Sequence, residues 1–258
     1  MLKTLSTRIH LDLLLSWRQR TVMIGVSLFT VILLGYLLLS SSLITSESTD
    51  FSQSASTRVL FSLFPLIHLF ATLILPLLLI DSFARDKYYD VTELFEALPL
   101  SNKSYLLGKT LAIFITALIS MLFLAVVVGV MWWILIYPFD ISSYIQAWLI
   151  NLIPIAGLNC ALLALCTMGQ PNRKRTLYLG LGFVFISLIG MISFSNPENP
   201  ILYYLNPGRT GMLIYYFEQT LNETVTSTLA MRLLIVLVAF LEVAVLFFIQ
   251  LWNLNRKR

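Results

Sequence analysis

The chain has 258 residues, of which 58% are hydrophobic and 12% charged, with a mean hydropathy of +0.86 and a formal net charge of +4. That balance is too apolar for a soluble domain of this length, and with only two histidines a histidine-rich metal centre is excluded. Nothing in the charge pattern points to nucleic acid. The sequence predicts an all-α integral membrane protein forming a single transmembrane domain over 1–258.

In chain order, residues 1–20 place Leu2, Leu5, Ile9, Leu13 and Trp17 at spacings of three and four, with Lys3, Arg8, Arg18 and Arg20 as a basic fringe. This is the pattern of an interfacial helix lying on one leaflet. Six segments are then long enough to cross about 30 Å of hydrocarbon at roughly 20 residues each. They fall at about 21–43, 60–80, 105–137, 143–168, 176–194 and 229–252, and all are expected to be helices because lipid offers backbone groups no partner. The first has no small-residue cleavage site and is expected to stay as a span.

The second segment carries Pro65, His68 and Pro76. Its prolines cost backbone hydrogen bonds and predict a kinked helix. His68 near mid-membrane is either a functional group or a neutral histidine bonded to a neighbouring helix.

Residues 81–109 form the longest charge-rich run between two apolar segments. Within it Val91, Leu94, Phe95 and Leu98 fall at i, i+3, i+4 and i+7, one face of a short helix. Asp90 stands at the N-cap and Glu93 three residues on completes a capping box, while Glu96 faces elsewhere. Pro99 ends that helix, and Ser101 is placed to cap a new one running through Gly108 and Lys109 into the third span.

The third and fourth spans meet at a turn around Pro138 and Asp140, where Trp132, Trp133, Tyr137, Tyr144 and Trp148 suggest an aromatic belt. Asn151, Pro154, Gly157 and Asn159 in the fourth span read as close helix packing and interhelical hydrogen bonding. Cys160 and Cys166 are six residues apart and off a common face, so they read as small buried residues. Residues 195–228 are too apolar and aromatic for a free loop and predict a re-entrant helical hairpin acting as an outer gate, with Tyr203, Tyr204, Tyr215 and Tyr216 at headgroup level. In the last span Arg232 is near enough to the surface to snorkel. Glu242 lies near the middle, where a carboxylate contacts substrate or protons, or bonds a neighbouring helix.

Cations set the orientation. If the N-terminus is cytoplasmic, fourteen of the 17 Lys and Arg residues fall on that side, and only Arg58, Arg209 and Arg232 on the other. Both termini are therefore expected in the cytoplasm, with the protein in the plasma (inner) membrane in contact with its lipids.

Gly108, Lys109 and Thr110 resemble the end of a phosphate-binding loop, but Lys103 stands where the first glycine is required, so no ATP site is expected in this chain. No G-x-S-x-G elbow occurs either.

Arg85 and Asp86, then Glu93, Leu94, Pro99, Ser101, Tyr105, Leu106, Leu107, Gly108 and Lys109, resemble the segment after the second span of type-2 ATP-binding-cassette export permeases. Asp90 and Val91 stand where that family favours glycine and threonine. The resemblance implies a permease subunit paired with a second permease chain and two separate ATPase chains, which carry the ATP and Mg; no cofactor is then expected here. It also implies that the 81–104 loop holds a coupling helix seated on the ATPase, with Asp86, Asp90, Val91, Glu93, Leu94, Phe95, Glu96, Leu98 and Pro99 at the contact. His68, Tyr203, Tyr204, Tyr215, Tyr216 and Glu242 are the candidates for a substrate path or gate. The competing readings are an ion- or proton-coupled secondary transporter using His68 and Glu242, and a membrane sensor or immunity protein.

Overall fold

A computed structural model describes residues 20–47, 53–80, 101–136, 139–168, 173–192, 205–209, 211–221 and 228–256. The expected interfacial helix up to residue 19, the coupling residues from Asp86 to Pro99, and Tyr203 and Tyr204 lie outside the described residues. Those that are described form helices and turns, with no strand among them. The elements are α1 (Arg20–Glu47), α2 (Gln53–Phe61), α3 (Phe64–Leu69), α4 (Leu75–Leu79), α5 (Asn102–Ile136), α6 (Ile141–Gln146), α7 (Ile153–Thr167), α8 (Arg173–Ile192), α9 (Gly211–Leu221) and α10 (Leu229–Arg256).

Five stretches are long and apolar enough to cross a bilayer: Arg20–Leu39, Ser56–Leu79, Asn102–Leu135, Ile141–Thr167 and Leu229–Arg256. The protein is thus an all-helical, multi-pass membrane protein. The segment expected as a further span is the 20-residue helix α8, whose first three residues are Arg173, Lys174 and Arg175; that basic start shortens its apolar stretch.

The prolines act as helix starters. Pro65, Pro76 and Pro154 all sit in the first turn of their helices, α3, α4 and α7, where a missing N–H removes no intrahelical bond. A π-turn precedes α4 at Phe70–Ile74 and another precedes α7 at Ala147–Leu152. The wider turn takes up the residue that the proline displaces from the ladder. The expected kinks in the second span are thus a break at Ser62–Leu63, between α2 and α3, and the π-turn before Pro76.

At the start of α5, the Ser104 N–H donates to Ser101 Oγ at 3.2 Å, which is the expected N-cap. From there α5 runs unbroken for 35 residues, through Gly108 and Lys109.

α7 is the central helix. Apart from Pro154 and Cys166, its residues are buried, and it packs against α5, α10, α4 and the π-turn before α4. Small side chains allow this. A Cβ added to Gly157 would lie 2.6 Å from the Phe114 ring, so the backbone of α7 rests almost directly on α5. By contrast α1 and α10 bury one face and expose the other, as Ile24, Leu28 and Val31 on α1 and Leu237, Phe240 and Phe248 on α10 illustrate.

The two ends of the bundle are tied differently. At the end that carries Ile80 and Ser101, here called the loop end, Asn102 Nδ2 donates to Asn255 Oδ1 at 3.1 Å and Thr167 Oγ1 donates to the Ile80 carbonyl at 3.2 Å. At the opposite end, which carries the 205–209 turn and α9 and is here called the hairpin end, Trp132 Nε1 donates to Ser56 Oγ at 3.3 Å, and the Asp140 N–H donates to Thr57 Oγ1 at 3.3 Å. Trp132 and Trp148 are buried there and Tyr144 donates to the Ala125 carbonyl at 2.6 Å. Of the expected aromatic belt, Trp133 does remain exposed, whereas these three rings serve as core.

Gly157→Val is expected to destabilise the folded state by about 1–3 kcal/mol through overpacking against Phe114. Unfolding of the detergent-solubilised protein measures this, and wild-type stability would show that α5 and α7 do not approach so closely.

Candidate functional site: a buried polar turn

Residues 205–209 enter the bundle as a tight turn leading to α9. Asn206 Oδ1 accepts from the Gly208 N–H at 2.7 Å, an Asx-type turn. The Arg209 N–H donates to the Asn206 carbonyl at 2.8 Å, and the Met212 N–H to the Arg209 carbonyl at 2.9 Å. Arg209 has a φ of 50°. For a non-glycine residue the left-handed region costs about 1–2 kcal/mol, so the surrounding contacts must hold it.

Three long-range contacts do so. Asn159 Nδ2, from α7, donates to the Pro207 carbonyl at 2.6 Å. His68 Nε2, from α3, bonds the Gly208 carbonyl at 2.7 Å. Because a carbonyl only accepts, Nε2 is the protonated ring nitrogen. Glu242, from α10, pairs in bidentate fashion with Arg209: Nη1 lies 3.3 Å from Oε1, and Nη2 bonds Oε2. Two successive carbonyls and the following side chain are thus each held by a different span. Arg209 is completely buried, and Glu242 is 22% exposed, so the pair lies at the edge of the packed interior. Fork-to-fork guanidinium–carboxylate geometry is the strongest form of such a pair.

The hairpin tyrosines close over this turn. The Tyr216 ring is edge-on to His68 at 5.8 Å and stacked on Phe64 at 5.3 Å. Tyr215 meets Phe61 edge-on at 5.9 Å, and its hydroxyl donates to the Ser143 carbonyl at 3.4 Å. Both side chains are buried. Burial raises the Tyr215 phenol above its ordinary range, with the Arg232 guanidinium on its face pulling the other way, and burial likewise raises Tyr216. Both therefore remain hydroxyl donors at neutral pH. Arg232, expected to snorkel, is buried beneath Tyr215.

Of the expected path or gate residues, His68, Tyr216 and Glu242 converge on the 205–209 turn, and Tyr215 packs beside them. Arg209 and Asn159 complete the site although neither was expected there. In the sequence Arg209 reads as a topological cation, and Asn159 as a residue for helix packing and interhelical hydrogen bonding. A signal for Arg209 did exist. Glu242 needs a counter-charge, and Arg232 stands ten residues away on the same helix, about 15 Å along its axis, which leaves Arg209 and Arg58 among the cations expected on that side of the membrane.

No protein-family model matches the chain, and no curated protein matches it. The fold and this site together define a multi-pass helical membrane protein with a charge pair buried between the 205–209 turn and a membrane-crossing helix.

Glu242→Gln should destabilise the protein by about 3–5 kcal/mol, because it leaves a buried guanidinium without its counter-charge. Replacing both partners, Arg209→Met with Glu242→Leu, should recover most of that loss. Unfolding of the single and double variants measures the coupling, and strictly additive effects would mean that the two side chains do not interact.

Proposed function

We propose that the chain is the membrane permease subunit of an ATP-driven exporter whose ATPase is a separate chain. In this reading α8 is the fifth of six spans, both termini and the loop end face the cytoplasm of a plasma membrane, and the hairpin end faces outward. Two permease chains pair with two ATPase chains, and the cargo is a hydrophobic or amphipathic compound, peptide or lipid. The 81–104 segment carries a coupling helix, and residues 195–228 form an outer gate.

The observation that carries the reading is the continuity of α5. The polar segment that resembles the coupling loop of type-2 permeases runs into a capped helix that continues without a break for 35 residues across the bundle. A push at the loop end is delivered along that helix, because a continuous α-helix transmits displacement as a rigid element. The buried turn at the opposite end supports the same reading. It closes the bundle there and is held by side chains from three spans, so relative motion of those spans would release it.

A proton-coupled carrier using His68 and Glu242 fits less well. Both oxygens of Glu242 are engaged by Arg209, and the protonated nitrogen of His68 is committed to a backbone carbonyl. A sensor or immunity protein has no specific observation in its favour.

Reversing Glu93 and Glu96 to lysine is expected to reduce co-purification with the ATPase, and permease-stimulated ATP hydrolysis, by tenfold or more, while insertion in the membrane is unchanged. A tenfold loss corresponds to about 1.4 kcal/mol of docking energy. Normal co-purification and transport by that variant would remove the coupling role.

A further inference from the structure

A second polar cluster lies at the hairpin end, apart from the 205–209 turn. Arg232, in the first turn of α10, is 5% exposed. Its guanidinium carbon is 4.0 Å from the Tyr215 ring centroid, and Nη2 lies 3.5 Å from Gln146 Oε1. Its Nε and Nη1 make no hydrogen bond of ordinary geometry; the Tyr216 hydroxyl and the Asn151 amide face each other without making one, and the Trp148 indole N–H, which faces the Tyr144 hydroxyl, makes none either. Tyr216, Asn151 and Trp148 are also buried. The Asn151 side-chain amide is directed at the Tyr216 hydroxyl, and the Arg232 charge acts on that hydroxyl as well. Trp148 packs edge-on to Phe64, which itself stacks on Tyr216. The nearby Asp140 carboxylate is committed to the Ser142 N–H and the Ser143 hydroxyl. Among the described residues no carboxylate pairs with Arg232.

These side chains converge from α10, α9, the last residue of α6 and the π-turn before α7, and the atoms they leave unsatisfied are mostly donors. A cation would be repelled by the guanidinium, and an apolar group would leave every donor unsatisfied. An oxyanion supplies both several acceptors and the missing negative charge, and phosphate matches a guanidinium in the bidentate manner. The buried cation also stands at the positive pole of its own helix, which sharpens the need for an anion. We propose that Arg232, Tyr216, Asn151 and Gln146 form a binding site for a phosphate group, presented by an anionic phospholipid headgroup or as free phosphate. Leu229 and Leu233 flank Arg232 on α10 and are exposed, so acyl chains can lie against the helix at the same level. The long Gln146 contact is the one a phosphate oxygen replaces. This site does not depend on the permease reading.

The test is thermal unfolding of the full chain in phospholipid-free detergent, titrated separately with phosphatidylglycerol, phosphatidylcholine and inorganic phosphate. Phosphatidylglycerol is expected to raise the unfolding temperature of the wild type, with phosphatidylcholine acting more weakly. Arg232→Gln should raise the half-saturating concentration about tenfold or more, the scale of one lost charge-assisted hydrogen bond. If Arg232→Gln does not fold, Tyr216→Phe carries the comparison, since it removes the hydroxyl that faces Asn151 and keeps the ring. Variant-sensitive stabilisation by a phospholipid assigns the site to a headgroup, and by inorganic phosphate alone to a soluble anion. No stabilisation of the wild type by any of the three, or equal stabilisation of wild type and variants, overturns the proposal.

Discussion

Backbone placed among membrane-crossing helices has no water to fall back on, so every polar atom it brings must be satisfied by protein. The turn at 205–209 meets most of that demand with side chains from three different spans: Asn159 for the Pro207 carbonyl, His68 for the Gly208 carbonyl and Glu242 for the Arg209 guanidinium; the Asn206 Nδ2 is left without a partner. Each of these side chains would be costly alone in the apolar interior. Together they let a non-helical segment enter the bundle, and they fix the distances among α3, α7 and α10 where it enters. The left-handed backbone at Arg209 persists because the guanidinium is fully buried against its partner.

A buried ion pair is weak evidence for stability, since well-packed apolar residues often do as well. What it adds is a discrete arrangement, either made or broken, and so a turn that is either seated or released. That is the property a gate requires, and it is what the proposal of an outer gate draws on. At the opposite end, the loop segment enters α5 through the Ser101 cap, and α5 in turn packs along α7. Because α7 carries Asn159, a displacement at the loop end has a contiguous packed route to the turn. The route is one of contact, and its coupling is what the functional proposal adds.

Much of the helical architecture was legible in the sequence because apolar runs of about 20 residues have few alternatives. The Ser101 cap and the short turn before α6 followed from local chemistry. His68 and Glu242 stood out because ionisable groups in apolar helices are rare. Arg209 did not, since its partner lies 33 residues away and a cation between spans reads equally well as an orientation signal. Tyr215, Tyr216, Trp132 and Trp148 were read from composition as interfacial rings. Only tertiary packing reveals that Tyr215 and Tyr216 join α9 to α2, α3 and α6, that Trp132 bonds Ser56 of α2 and that Trp148 packs on Phe64. The π-turns before Pro76 and Pro154 were likewise invisible to periodicity, which is blurred where nearly every residue is apolar.

The docking of the turn against His68 is directly observable. The chain contains only His10 and His68, so selective 15N labelling of histidine resolves both rings, and 13C labelling of glycine carbonyls reports Gly208. The account predicts that the His68 ring carries its proton on Nε2 and shows a through-space contact to the Gly208 carbonyl, consistent with the 2.7 Å separation. A proton on Nδ1 instead, or a ring in contact with water and not with Gly208, would contradict it.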